Sequence, residues 1–388
     1  MLNIKKMRIA LVLHNNAKAG GANSYEYEVL KRISIIQQSD FEFIIYVPKS
    51  LLKATKNQFK VFKVRSYRDG LFTLFFLNLR VALSGYKVLK SIGLRYGKLE
   101  RKFRRDDIYL AYFLSPNAIA LDLVDTPTIN TVWDLGHRDL PEFLEISGNR
   151  HFEEREFFYR TVLPKSFRVV VDSQKTSDRI QSIYGVLKDK VIVGGLAVSK
   201  PSVPEFLQSS SDQFFLYPAQ FWPHKRHVLL LEAFKIVCNQ NADCKLILTG
   251  SDKGNLKHVV QKAKSLGISE RVEFMGYVDA PKLAMLMQTA LCLVFPSQLG
   301  PSNLPPLEAA MLGTRTLISN VHSDPMLSHS LITIVPSQNA EDWAEAMLKI
   351  LTEKDPIFEA PPNVESPLPH QLFSSFLEFK TYREEWAN

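Results

Sequence analysis

The feature that most constrains this chain is a rhythm. Short apolar, β-branched runs alternate with longer stretches whose apolar residues recur at three- and four-residue spacing. Such alternation is how a chain builds parallel sheets, because each crossover between parallel strands needs a helix, and those helices cover both sheet faces. In the first half, residues 8–14, 41–47, 61–64, 107–113, 128–134 and 168–172 read as strands. Residues 20–38, the basic stretch 71–96, 149–163 and 173–184 read as the helices between them. The segment SKPSVPEFLQSSSDQ then breaks the rhythm with two prolines and a serine tract, the composition of an exposed linker.

The rhythm restarts after it. Strands are expected at 214–219, 245–250, 271–276, 291–296, 315–320 and 332–336, with helices at 225–240, 255–267, 280–290, 305–313 and 339–351. A Pro-rich stretch then leads to a last helix at 371–386, whose aromatic face needs a packing partner and whose docking onto the first domain is expected. The predicted class is α/β with two doubly wound Rossmann-like domains facing across a cleft. The first spans residues 1–200, rejoined by the last helix at about 370–388; 201–213 form the linker and 214–365 the second domain. At 388 residues, a prior of about 150 residues per domain also favours two.

Composition removes several function classes. With 46% hydrophobic and 23% charged residues the chain can bury a core, so wholesale disorder is excluded. Cys238, Cys244 and Cys292 form no CxxC pair and are odd in number, which argues against a zinc site or a disulfide framework and for a reducing cytoplasm. The apolar run near the N-terminus is only strand-length before Asn15 and Asn16, too short for a signal peptide. The stretch GLFTLFFLNLRVALSGY is interrupted by Arg80 and falls short of the ~20 residues that span a bilayer.

Charge is unevenly placed. Residues 51–105 hold fifteen Lys or Arg against Asp69 and Glu100, although the whole chain carries only +8. Mixed with Phe72, Phe75, Phe76 and Leu77, this surface suits an anionic membrane face, which would make the protein peripheral on the inner side of the cell membrane. A solvated basic face is the alternative, and nucleic acid, the competing partner, is not expected.

Ligands of doubly wound sheets bind at the carboxyl ends of the strands. Neither half shows GxGxxG after its first strand; the first turn reads HNNAKAGGANSY, where Gly20 and Gly21 could still admit an anion or sugar to the backbone. The informative segment is FPSQLGPSNLPPLEAAMLG, residues 295–313. A buried strand leads into a loop, and Pro305 and Pro306 stand where a helix starts. The amides of Ser302, Asn303 and Leu304 then sit at a helix mouth that favours phosphate, with Glu308 one turn further in, within reach of a ribose hydroxyl. In PAQFWPHKRH, Lys225 and Arg226 stand at a helix start, where cations oppose the dipole unless an anion neutralises them.

Together these segments, with GGANSY, TVWDLGHRDLPEF, VVDSQKTSDRI and RVEFMGYV in the same order, resemble the retaining glycosyltransferases of the GT-B fold, family 4. That group includes bacterial mannosyl-, glucosyl- and rhamnosyltransferases of lipopolysaccharide and capsule assembly. The resemblance implies a nucleotide-sugar donor (GDP-, UDP- or TDP-linked) in the second domain and a saccharide or lipid-linked acceptor in the first. It places Gln220, Lys225, Arg226, Gly250, Tyr277, Gly300, Ser302, Asn303, Leu304 and Glu308 at the donor, and Lys225, Asp134 and His137 at the chemistry. No DxD motif is present, so no obligatory metal or other cofactor is expected. Three positions depart from the family pattern: Gly300 replaces the first of two glutamates, Gln220 replaces an arginine, and Trp133 replaces the histidine of a His-Asp pair. A degenerate protein that binds a sugar nucleotide or glycan without transfer, and an epimerase of the same fold, are the rival expectations.

Overall fold

A computed structural model describes the chain except for residues 1–5, 15–20, 36–39, 68–96, 195–199, 204–212, 241–242, 301–303, 322–329, 337–338, 354–366 and 388. The chain divides into two compact units. The first contains Met1–Leu135, Arg150–Ala197 and Ser366–Asn388, and the second Gly136–Asn149 and Val198–Glu365.

The first unit is built on a seven-stranded sheet: β1 (Met7–Val12), β2 (Phe41–Pro48), β3 (Lys63–Tyr67), β4 (Ile108–Phe113), β5 (Thr128–Val132), β6 (Arg168–Val171) and β7 (Val191–Val193). Its order is β3-β2-β1-β4-β5-β6-β7, with every neighbouring pair parallel. A parallel sheet covered on both faces needs strands that are apolar throughout, and β4 and β5 are buried almost end to end. The helix Gln174–Tyr184 shows why the elements begin and end where they do. Ser173 caps it by accepting from the Thr176 amide at 3.3 Å, and Gly185 ends it in the left-handed conformation with φ 68°.

The last helix, Leu368–Ala387, belongs to this unit. Phe373 and Phe376 lie 5.9 and 6.0 Å from Phe41, Phe379 lies 5.2 Å from Phe167, and Lys380 reaches Asp40 at 2.6 Å. The aromatic face that needed a partner therefore closes over the edge of β2 and the start of β6.

The second unit holds a six-stranded sheet: β8 (Phe214–Pro218), β9 (Lys245–Thr249), β10 (Val272–Gly276), β11 (Cys292–Phe295), β12 (Arg315–Ser319) and β13 (Ile332–Val335). It is parallel and ordered β10-β9-β8-β11-β12-β13. The chain starts at β8, builds outward through β9 and β10, then crosses back to add β11 beside β8. The topological switch point lies between β8 and β11, the place at which doubly wound sheets bind ligands at the strands' carboxyl ends. In the first unit the switch point lies between β1 and β4 by the same logic.

The structure differs from expectation in two places. Residues 136–149, expected in the first domain, group with the second unit because Glu145 and Phe143 pack on His224. The strand β7 and the short helices Leu52–Gln58 and Lys98–Arg105 are additional to the expected elements. They are three, seven and eight residues long, too short to show a period. The expected basic helix at 71–96 lies outside the described residues.

Candidate functional site

At the second unit's switch point the loops after β8 and β11 bring Lys225 to Ser297. From the end of β8, Ala219 to Trp222 lead into a single 3-10 turn, Pro223–Lys225. Arg226 follows in the left-handed conformation, φ 56°, before the helix His227–Gln240 begins. Lys225 does not occupy the first turn of that helix, as its sequence position suggests; it closes the preceding turn, and Arg226 turns the chain. Tyr217 holds the corner by donating its hydroxyl to the Lys225 carbonyl at 2.6 Å.

The Lys225 ammonium points across to the loop that leaves β11. Its Nζ lies 3.1 Å from Ser297 Oγ and 5.2 Å from the centre of the Phe295 ring. Ser297 is fully buried, and its hydroxyl donates in turn to the Leu299 carbonyl at 2.8 Å. The Gln298 amide donates to the His224 carbonyl at 3.0 Å, and Ser319 Oγ donates to the Ser297 carbonyl. The two loops are thereby tied to each other, and the second runs on toward the helix Leu304–Met311. Leu304 opens that helix and is buried, while Glu308 is half-buried one turn in. Ser302 and Asn303 lie outside the described residues, as does Gly20; Gly21 is the first residue of the helix Gly21–Ile35.

Gly300 has φ 106°, a conformation that side chains with a Cβ rarely adopt. A glutamate there would be strained, so the backbone itself accounts for the departure from the family pattern. Gln220 accepts from the Trp222 indole at 3.1 Å, which makes it part of the loop's internal support. Gly250, directly after β9, has φ 149° and packs so tightly on β8 that an added Cβ would stand 2.2 Å from the Ala219 carbonyl oxygen. Tyr277 follows the edge strand β10 and is 52% exposed.

Several residues that stabilise these loops carry no signal in the sequence. Glu145 accepts from both the backbone amide and the ring nitrogen of His224, at 3.0 and 3.1 Å, across 79 positions. His227 is buried and stacked on Phe221, 4.5 Å between ring centres, with Tyr217 at 4.8 Å. Burial holds its pKa far below the ordinary value, at about 3; the Ala219 backbone opposes this in part, and the charges of Lys225 and His224 add to it.

The two remaining candidates fall in different units. Asp134, in the first, is paired with Arg155 at 2.8 Å. Burial works against the Arg155 charge, but Asp134 and Tyr159 outweigh it and push that pKa up. His137, in the second, is fully buried in a four-residue helix. Among the described residues no group of three or more His, Cys, Asp or Glu is placed to hold a metal ion. No helix among them is long and apolar enough to cross a membrane.

Residues 200–361, which lie in the second unit, match the family model described as "Glycosyl transferases group 1". Among curated proteins, the serotype-specific mannosyltransferase WbdA of Escherichia coli is 24% identical over 219 residues, 55% of this chain and 27% of its own length. The O-antigen chain mannosyltransferase RfbU of Salmonella typhimurium is 23% identical over 202 residues, 50% of this chain and 55% of its own length. The chain thus matches only about a quarter to a half of these relatives. Among solved structures, Anabaena HepE in complex with UDP and glucose superposes with a TM-score of 0.65 over 98% of this chain and 99% of its own, at 14% identity. The chain has the GT-B fold: two Rossmann-like domains, each with a parallel sheet.

Proposed function

We propose that the chain transfers a sugar from a nucleoside-diphosphate sugar to a saccharide or lipid-linked saccharide acceptor. The reading places it with the retaining, family 4 enzymes of cell-surface polysaccharide or lipopolysaccharide synthesis. The observation that carries it is the 3.1 Å contact of Lys225 Nζ with Ser297, at the carboxyl ends of β8 and β11. A cation held against the loop that follows β11, in a sequence where a proline-bearing helix comes next, suits a pyrophosphate. The group 1 match over this unit and the mannosyltransferase relatives support the same conclusion.

In this reading Lys225, assisted by Arg226, binds the donor diphosphate, and Glu308 holds the ribose. Breaking the bond between sugar and phosphate leaves charge on the departing oxygen. Lys225 stabilises that charge where it develops, which lowers the barrier more than it tightens ground-state binding. The acceptor hydroxyl attacks from the face the phosphate is leaving, and the phosphate takes its proton, so configuration is retained without a protein nucleophile. Asp134 and His137 are assigned to the sugar or acceptor. The protein works in the cytoplasm, with the basic region 51–105 against an anionic membrane.

The test is a thermal-shift screen of UDP-, GDP- and TDP-sugars on the wild type and Lys225→Ala. A bound donor raises the melting temperature of the wild type. In Lys225→Ala that rise is smaller, with affinity about 10- to 100-fold weaker, the range of a lost charge-assisted hydrogen bond. The unliganded melting temperature stays close to that of the wild type. Equal loss of stability and binding would reject the role. A second reading, a protein that binds the donor without transfer, is favoured by Gly300 and by Asp134 being tied to Arg155. Slow donor hydrolysis with no acceptor product would establish it.

A further inference from the structure

The first unit has a cavity of about 840 Å³ that no step above uses. Its walls include Ser66 and Tyr67 at the end of β3, Lys49 directly after β2, and Ile119 and Asp122 in the segment after β4. It therefore opens at the carboxyl edge of the sheet, the edge at which doubly wound folds bind ligands. Tyr67 is held there by three polar contacts. Its hydroxyl donates to the Leu13 carbonyl at 3.0 Å, accepts from Asn117 at 3.1 Å and lies 3.4 Å from His14 Nδ1.

The remaining wall is the helix Lys98–Arg105, which presents Lys98, Arg101, Lys102 and Arg105 at i, i+3, i+4 and i+7, one face of one helix. Leu99, Glu100 and Phe103 are buried on the other side. Like charges at this spacing oppose helix formation, so the face is costly unless something neutralises it. The acids within reach are otherwise engaged. Asp122 accepts from the Leu99 and Glu100 amides at 2.6 and 3.2 Å, capping the helix, and Glu100 accepts from the Val124 amide and the Thr126 hydroxyl, both at 2.8 Å. Arg104 pairs with Asp125 at 3.1 Å. Lys98, Arg101, Lys102 and Arg105, together with Lys49, form no ion pair or side-chain hydrogen bond among the described residues. Five cations with no ion-pair partner among the described residues outnumber the one carboxylate of the lining, Asp122, around a concave cavity, and the excess positive charge suits a multiply charged anion of phosphate type.

We propose that this cavity binds a phosphate or diphosphate ester, and, resting on the transferase reading above, that the phosphate belongs to the saccharide acceptor. The cations fix the acceptor's charged end, Ser66 offers a hydroxyl, and Tyr67, whose own hydroxyl is engaged by Leu13 and Asn117, forms a fixed part of the wall. The phosphate can come from a soluble phosphosaccharide or from the head of a membrane-borne acceptor.

The test begins in the Lys225→Ala background, so that the donor site does not contribute. Inorganic pyrophosphate titrated by calorimetry should bind saturably with one site. The double variant Arg101→Glu/Lys102→Glu should weaken that binding at least 10-fold. Lys175→Glu/Lys188→Glu, an identical change of net charge at exposed positions of the same unit, should leave it within twofold. Melting temperatures of both variants report that they are folded. Absence of saturable binding, or equal loss in both double variants, overturns the proposal. A second arm pellets the protein with phosphatidylcholine vesicles with and without phosphatidylglycerol. Pyrophosphate binding together with pelleting assigns the phosphate to a membrane-borne acceptor. Pyrophosphate binding without pelleting assigns it to a soluble one, and pelleting without pyrophosphate binding overturns the cavity in favour of a flat membrane face. Because pyrophosphate binding is read without donor or turnover, it stands or falls separately from the donor assignment.

Discussion

Replacing His227 by phenylalanine should make the second unit less sensitive to acid. The imidazole is buried between Phe221 and Tyr217, and its pKa falls from the ordinary 6.5 to about 3. Between those two values the unfolded chain binds a proton that the folded protein does not. This contribution to stability is therefore complete above about pH 6.5 and is lost as pH falls toward 3. Each pH unit within that window costs the wild type about 1.4 kcal/mol, which amounts to about 2 kcal/mol between pH 7 and pH 5. A phenyl ring keeps the stacking volume and carries no proton, so His227→Phe should lose about 2 kcal/mol less over the same interval. The assay is native-state amide hydrogen exchange of peptides from the helix His227–Gln240 at pH 7 and pH 5, corrected for the intrinsic rate. If wild type and variant lose the same protection, the imidazole is protonated in the folded protein, and burial is not what controls it.

Two further outcomes concern the same unit. Gly250→Ala should destabilise the second unit by more than the ~1–3 kcal/mol usual for backbone strain, because the new methyl meets the Ala219 carbonyl at 2.2 Å as well as an unfavourable φ; a melting temperature within about 1–2 °C of wild type would contradict the close packing of β8 and β9. Glu308→Ala, half-buried one turn into the helix Leu304–Met311, should weaken UDP or GDP binding by roughly 10-fold in calorimetry, the scale of one hydrogen bond to a charged group, and leave inorganic pyrophosphate binding unchanged. Equal weakening of both ligands would move Glu308 away from the ribose.

The sequence was most informative where a signal is local. Periodicity determined every strand but the three-residue β7, and most of the helices. The break after residue 199 marked where the second alternation starts, because prolines and a serine tract cannot continue either period. Lys225 stood out in the sequence as a cation near a helix start, but its placement was only approximate: it closes the 3-10 turn before the helix, because Arg226 takes the left-handed conformation between them. Tertiary structure decided which loops meet. The Lys225 ammonium touches Ser297 only because β11 is laid beside β8 rather than beside β10, a choice of strand order that leaves no trace at either position. Glu145 and His224 are likewise brought together by the fold across 79 residues. The basic region divides the same way. Its charge is plain in the sequence, but an ionic partner is a property of distance. Only the folded chain shows that Asp122 and Glu100 are engaged by backbone amides while four cations line one face of a helix.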